Sequence, residues 1–140
     1  MSTAIDTNVI VSLWSREPKL SAPASIALET AAAGGALVVS APVFAELIAS
    51  PGFTEDDVAE FCVGAGIDVE WQITENVWRE AGKAYRAYAQ RRRRSGDLHP
   101  RRILADFLIG AHALVNEHAL LTMDKSVYRA AFPALKLLTF

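Results

Sequence analysis

Residues 3–11 read TAIDTNVIV, a short apolar run that ends at Asp6 and is followed by a second apolar run. The first run has the length and the continuous apolar character of a buried strand, predicted over residues 2–5. Asp6 or Thr7 suits the N-cap of a helix, so the second run predicts a short helix over residues 8–14. The chain therefore opens with a strand that passes directly into a helix through an aspartate.

Three further apolar stretches each enclose one carboxylate. They are APVFAELIA at 41–49 with Glu46, ILADFLIGAHALV at 103–115 with Asp106, and ALLTMDKSV at 119–127 with Asp124. An ionised carboxylate on a buried face costs several kcal/mol unless a cation or hydrogen-bond donors compensate it. Four acids in such surroundings predict one acidic pocket that binds a cation.

Short apolar strands alternate with helical patterns along the whole chain. Strands are predicted at 2–5, 36–39, 69–73, 119–122 and 135–138; helices are predicted at 8–14, 22–33, 42–49, 54–63, 74–93, 103–117 and 126–132. Residues 96–100 are predicted to form a loop. This alternation is typical of an α/β fold with a mostly parallel sheet covered on both faces. No linker or repeat divides the sequence, so one domain spanning residues 1–140 is expected.

The predicted strands indicate where the acids lie. Asp6 and Asp124 follow the ends of strands, Glu46 lies in an early turn of the helix after the second strand, and Asp106 lies near the start of its helix. Sites in open α/β sheets form at the carboxyl ends of the strands. At least three of the four acids can meet there, and Asp106 joins them if its helix begins at the same edge.

Carboxylate oxygens suit Mg²⁺ or Mn²⁺, and a cation held in this way can activate water and stabilise charge on a phosphate. The pattern therefore indicates hydrolysis of a phosphodiester or a phosphomonoester. Thr7, Asn8 and Thr122 flank the acids, and their hydroxyl or amide groups are candidates to orient the carboxylates. The alternative is that the acids and their neighbours are helix caps, turn residues and surface charges.

Composition fits a globular protein with an acidic body and one basic segment. The chain has 140 residues, is 51% hydrophobic, and has a net charge of −2. Residues 86–102 carry seven arginines and one aspartate, for +6, whereas the rest carries seven basic and fifteen acidic residues, for −8. Candidate phosphate-binding residues in this segment are Arg91, Arg92, Arg93, Arg94, Arg101 and Arg102. The alternative for residues 91–94 is a solvated helix end that complements the helix dipole.

The cysteine, the histidines and the lack of long apolar stretches indicate the cellular location and the kind of metal to expect. The single Cys62 is expected in the core and suits a reducing cytoplasm. No apolar stretch reaches the roughly 20 residues of a membrane span, and no secretion signal is evident at the N-terminus, so a cytoplasmic location is predicted. His99, His112 and His118 have no metal-ligand spacing, so zinc is not expected and His112 is predicted to be a core or interface residue.

The four acidic stretches together resemble the motifs of PIN-domain ribonucleases, above all the VapC-type toxins of bacterial toxin–antitoxin pairs. The resemblance runs in order along the whole chain and rests mainly on Asp-Thr-Asn after the first strand and on Asp-x-Leu-Ile-x-Ala in the apolar helix. In that helix Gly110 stands where the family often has alanine. A glycine at this position would permit close helix packing.

The resemblance implies a three-layer α/β/α fold and Mg²⁺- or Mn²⁺-dependent endoribonuclease activity. It assigns metal binding and water activation to Asp6, Glu46, Asp106 and Asp124. It also implies an RNA substrate, a small antitoxin as partner, and a homodimer. Two alternatives are an RNA-processing nuclease without an antitoxin, and a module that binds RNA or protein without catalysis. A phospho-signalling receiver is disfavoured because paired acids after the first strand and a lysine after the last are not seen.

Overall fold

A sheet of five parallel strands forms the centre of the structure, a computed structural model that describes residues 1–96 and 102–140. The strands are β1 (Thr3–Ile5), β2 (Leu37–Ser40), β3 (Ile67–Glu70), β4 (Ala119–Leu121) and β5 (Leu137–Leu138). The helices of the described residues are α1 (Thr7–Leu13), α2 (Pro18–Gly34), α3 (Ala41–Ile48), α4 (Glu55–Ala65), α5 (Glu75–Ser95), α6 (Leu104–Val115) and α7 (Lys125–Ala131). The predicted three-layer α/β/α arrangement is confirmed.

The strand order is β3-β2-β1-β4-β5, and each neighbouring pair is parallel. The chain first builds outward from β1 through β2 to β3, and then returns to add β4 and β5 on the other side of β1. Such a reversal is a topological switch point, beside which α/β proteins place their ligand sites. Ile5 pairs with Leu121 there, so the residues that follow β1 and β4 are neighbours in space.

Apolar side chains explain why these segments form strands at the centre. Every residue of β1, β2 and β4 is buried, as expected for a parallel sheet covered on both faces. Cys62 is 2% exposed and belongs to the core, as predicted. None of the described helices is long and apolar enough to cross a membrane.

Two predicted boundaries are wrong, and each has a physical reason. The strand predicted at 69–73 is found at Ile67–Glu70, because β3 pairs residue by residue with β2, which ends at Ser40. The helix predicted from residue 22 begins at Pro18, because proline at the first helical position needs no backbone N–H partner. The other predicted elements are confirmed, with small shifts at their ends. The loop predicted at 96–100 falls almost wholly outside the described residues.

Gly110 allows α6 and α7 to pack closely, as predicted. A Cβ atom at this position would lie 2.3 Å from Cε2 of Phe132 and 3.1 Å from Cδ1 of Tyr128. Both of these aromatic side chains are buried. The absence of a side chain at Gly110 therefore fixes how near Tyr128 comes to α6, which matters for the site described next.

Candidate functional site

Asp6 lies at the carboxyl end of β1 and is only 6% exposed. Its Oδ1 accepts a 2.8 Å hydrogen bond from the backbone N–H of Thr7, and its Oδ2 accepts a 2.7 Å hydrogen bond from the hydroxyl of Thr122. The Tyr128 hydroxyl is a third donor. Burial raises the pKa of Asp6 to about 6, the hydrogen bonds oppose this rise, and the negative charge of Asp106 adds to it. Asp6 therefore caps α1 and also faces a second carboxylate.

Asp106 is in the first turn of α6, where its Oδ2 accepts a 3.3 Å hydrogen bond from the backbone N–H of Ile103. Burial raises its pKa; the Ile103 hydrogen bond and the positive charge of Arg102 oppose this, and the negative charge of Asp124 reinforces it. Arg102 also forms a 3.0 Å ion pair with Asp124, whose other oxygen accepts from Ser126 at 3.2 Å. The N-terminus of α6 therefore does point to the edge that holds Asp124.

Glu46 lies in the second turn of α3 and is partly buried. The hydroxyl of Thr7 donates a 2.6 Å hydrogen bond to its Oε1. Because the N–H of the same threonine donates to Asp6, Thr7 ties two of the acids to one another. Thr7, which was predicted to orient the carboxylates, therefore contacts two of them directly.

Thr122 and Asn8 fix the segment that carries Asp124. The Thr122 hydroxyl, fully buried, donates to Asp6 and accepts a 3.0 Å hydrogen bond from the backbone N–H of Asp124. Oδ1 of Asn8 accepts a 3.2 Å hydrogen bond from the backbone N–H of Met123. Thr122 therefore touches a carboxylate directly, whereas Asn8 holds the loop beside it.

Tyr128 belongs to this cluster but is absent from the residues singled out in the sequence. Its side chain is 2% exposed. Burial and the charges of Asp6, Asp106 and Glu46 all raise the pKa of its hydroxyl, which therefore stays protonated and donates to Asp6. A tyrosine one helical turn after Asp124 was the only signal in the sequence. The Tyr128 hydroxyl therefore lies within the influence of three carboxylates and contacts one of them, Asp6.

A basic groove opens beside the acids. It has a volume of about 750 Å³ and is lined by Tyr88, Phe107 and apolar residues of α7, together with four arginines: Arg91, Arg92, Arg94 and Arg102. Its Arg102 is the partner of Asp124, so the groove is continuous with the acidic cluster. The backbone N–H of Arg102 donates a 2.7 Å hydrogen bond to the Tyr88 hydroxyl, which fixes this wall of the groove.

Two of the six candidate arginines are not placed in the groove. Arg93 is exposed on α5 but does not line it, because successive helical residues point in different directions. Arg101 lies outside the described residues. The arginine run is therefore divided by the helix into residues that face the groove and one that faces elsewhere.

The donor set of the acidic cluster fits a hard divalent cation. Four carboxylates offer oxygen atoms, and burial raises the pKa values of two of them, Asp6 and Asp106. The charge of Asp106 adds to the rise for Asp6, and the charge of Asp124 adds to the rise for Asp106. A divalent cation would relieve both effects at once, since it compensates the repulsion and favours the ionised forms. The residues that would hold it are Asp6, Glu46, Asp106 and Asp124.

A second cluster of possible ligands was not indicated by the histidine spacing. Glu70, His112 and His118 come together, with their ligand atoms within 4.8 Å of one another. The sequence could not indicate this, because one residue each comes from β3, from α6 and from the position just before β4. His99 lies outside the described residues.

Comparisons with known proteins agree with this fold. The family described as PIN domain matches residues 3–133. No curated protein matches the chain.

The solved structures that share the fold at low sequence identity include the following three. The structure of VapBC2 from Rickettsia felis bound to a promoter DNA fragment has a TM-score of 0.71 and 20% identity, covering 99% of this chain and 98% of that one. The structure of VapBC-1 from nontypeable Haemophilus influenzae has a TM-score of 0.68 and 20% identity, and it covers 99% of this chain and 98% of that one. A toxin–antitoxin complex from Klebsiella pneumoniae has a TM-score of 0.66 and 17% identity, and it covers 98% of this chain and 96% of that one.

The raised pKa of Asp6 predicts a specific dependence of stability on pH in the metal-free protein. The folded value of about 6 exceeds the ordinary 3.8, so the native state binds this proton more tightly. Its stabilisation is complete below about pH 4 and is lost as the pH rises through 6. Relative to Asp6→Asn, the free energy of unfolding of the wild type should fall by on the order of 3 kcal/mol between pH 4 and pH 7.

Urea unfolding in the presence of a chelator measures this difference. Asp56→Asn, at an exposed position of α4, is the control and should follow the wild type. A difference between wild type and Asp6→Asn that stays constant across the range would contradict the assigned environment of Asp6.

Proposed function

Because the chain belongs to the PIN domain family, we propose that it is a Mg²⁺- or Mn²⁺-dependent endoribonuclease that hydrolyses phosphodiester bonds in RNA. The observation that carries the proposal is that Asp6 is hydrogen-bonded to the Tyr128 hydroxyl, while Asp106 and Glu46 lie near enough for their charges to raise the pKa of that hydroxyl. Asp124 is coupled to Asp106 at the same edge of the sheet. A stable fold does not need four carboxylates gathered at one edge of its sheet.

In this proposal the four carboxylates hold the cation, which, when bound, supplies a Lewis acid for the phosphate and lowers the pKa of a water molecule. Thr7, Thr122 and Tyr128 keep the carboxylates in place by donating hydrogen bonds to them. We assign to Glu46 the role of accepting a proton from the attacking water, since it is partly accessible and Thr7 fixes its orientation through Oε1.

The RNA backbone would follow the basic groove. Arg91, Arg92 and Arg94 line it, and Arg102 links it to Asp124. Both members of that ion pair are 35% exposed, so a phosphate can compete for the guanidinium without the cost of opening a buried pair. Tyr88 is held by Arg102 and packs near Arg92, with 5.8 Å between guanidinium and ring centroid, which supports its role as part of the groove wall.

We further propose that the protein is the toxin of a toxin–antitoxin pair, with a small antitoxin as partner, and that it forms a homodimer. Support for the antitoxin comes from the similar structures, which include VapBC assemblies and a toxin–antitoxin complex. The main alternative is an RNA-processing nuclease of the same family without an antitoxin. A binding module without catalysis is disfavoured because all four acids are kept together with the hydroxyl groups that orient them.

Cleavage of RNA tests the proposed function directly. Purified protein incubated with total cellular RNA should generate new ends in Mg²⁺ or Mn²⁺ and none in a chelator. Asp106→Asn removes a charge but little volume, so it should abolish cleavage while the protein remains folded. The control Asp56→Asn makes the same chemical change on the exposed face of α4 and should cleave at the wild-type rate. Full cleavage by Asp106→Asn would refute the assignment of the site.

The groove predicts that the arginines of one run are not equivalent. Replacing both Arg91 and Arg94 with Gln should weaken RNA binding and flatten its salt dependence, by about 0.7 log units of slope for each lost phosphate contact on a single strand. Arg93→Gln changes the same residue type in the same run but outside the groove, so it should have a smaller effect.

The test measures RNA binding at several salt concentrations, with every variant made in the catalytically inactive Asp106→Asn protein so that the RNA is not cleaved. The single variants Arg91→Gln and Arg94→Gln are compared with Arg93→Gln. If all three change the salt dependence of RNA binding equally, the run acts only as a diffuse positive charge.

A further inference from the structure

Glu70, His112 and His118 form a compact cluster away from the four acids. The Nε2 atoms of both histidines approach the same oxygen, Oε1 of Glu70, at 2.9 Å from His112 and 2.6 Å from His118. The two imidazole rings are 5.5 Å apart between centroids. Three atoms of the types that bind transition metals are therefore directed at one point.

The state of His112 is unusual for a core histidine. Its side chain is 1% exposed, and within the described residues neither ring nitrogen has a hydrogen-bond partner of acceptable geometry. Its Nε2 is within 2.9 Å of the Glu70 carboxylate, but the ring is not oriented to donate along that line. A buried nitrogen that faces a carboxylate without a hydrogen bond is costly unless a cation lies between them.

We propose that Glu70, His112 and His118 bind a transition-metal cation of the zinc class, at a site separate from the acidic cluster. Two imidazole nitrogens and one carboxylate oxygen are a ligand set that suits Zn²⁺ and leaves a fourth position for water. Ligand atoms about 2.0–2.2 Å from a zinc ion are about 3.4 Å apart in a tetrahedron, so the cluster needs to open by less than 1 Å to accept one.

Neighbouring groups orient His118, keep His112 neutral and leave Glu70 accessible to solvent. Nε2 of His118 donates a 2.6 Å hydrogen bond to Glu70, and Nδ1 is hydrogen-bonded to the Ser2 hydroxyl. Because that hydroxyl can also accept from a protonated Nδ1, it supports the tautomer whose Nε2 lone pair would bind a cation. Burial lowers the pKa of His112, which keeps its ring neutral, as a metal ligand must be. Glu70 is 38% exposed, and this gives the cation a route from solvent.

The site would join three parts of the fold. Glu70 ends β3, His112 lies in the last turns of α6, and His118 directly precedes β4. His112 is six residues from Asp106, or about 9 Å along the helix axis. A cation here would therefore stabilise the far end of the helix that carries Asp106, without sharing a ligand with the nuclease site.

Zinc binding by the untagged, metal-free protein tests the proposal. Competition with a chromophoric zinc chelator should show one tight site in the wild type and in the double variant Asp6→Asn with Asp106→Asn, whose acidic cluster is impaired. Glu70→Gln should weaken this site at least tenfold. Glu117→Gln is the matched control, since it makes the same change beside His118 at an exposed position outside the cluster. Ser2→Ala should weaken binding about tenfold, because only the orientation of His118 is lost.

Cobalt gives a second readout that does not depend on affinity. Co²⁺ in a tetrahedral site with nitrogen ligands has intense visible bands, which an octahedral oxygen site lacks. The wild type and Glu117→Gln should show these bands, and Glu70→Gln and His118→Gln should not. Absence of tight zinc binding in the wild type, or equal binding by Glu70→Gln and Glu117→Gln, would overturn the proposal. Glu70 is partly exposed, so its variant remains informative even if His118→Gln does not fold.

Discussion

The burial of Asp6 at the centre of the sheet is the constraint around which the rest of the site is organised. A carboxylate that is 6% exposed needs donors, and it receives them from the backbone of Thr7 and from the hydroxyls of Thr122 and Tyr128. Each donor comes from a different segment of the chain. The β1–β4 pairing brings Thr122 alongside, and the close contact of α6 with α7 at Gly110 brings Tyr128.

The hydrogen bonds do not cancel the cost of burial, since the pKa of Asp6 remains raised to about 6. Asp106 adds its own negative charge, and its own pKa is raised as well. A fold selected only for stability would replace one of these acids. Their retention in a pocket at the switch point of the sheet is explained if a divalent cation completes the arrangement.

Local patterns in the sequence were enough to predict the sheet, the helices and the edge where the acids meet. An apolar run that ends in a carboxylate identifies both a strand and a residue at its carboxyl end, as for Asp6 and Asp124. Contacts between distant segments could not be predicted in this way. Tyr128 donating to Asp6, Arg102 pairing with Asp124, and Glu70 meeting His118 all depend on how helices pack over the finished sheet.

Helix α6 therefore connects two clusters of different chemistry. Oxygen donors gather at its N-terminus around Asp106, and nitrogen donors gather near its C-terminus around His112. Hard cations such as Mg²⁺ and Mn²⁺ prefer the first kind of site and zinc prefers the second. The two proposed sites can accordingly be tested independently of each other.

The central claim is that the four carboxylates form a cation site in the native protein. A melting curve recorded against Mn²⁺ concentration, for the wild type and for Asp6→Asn combined with Asp106→Asn, tests it most directly. We expect Mn²⁺ to stabilise the wild type by about 2.7 kcal/mol at one hundred times its Kd and to have little effect on the double variant. Glu70→Gln should keep the wild-type response. Equal stabilisation of the wild type and the double variant would contradict the account, because the cation would then bind elsewhere.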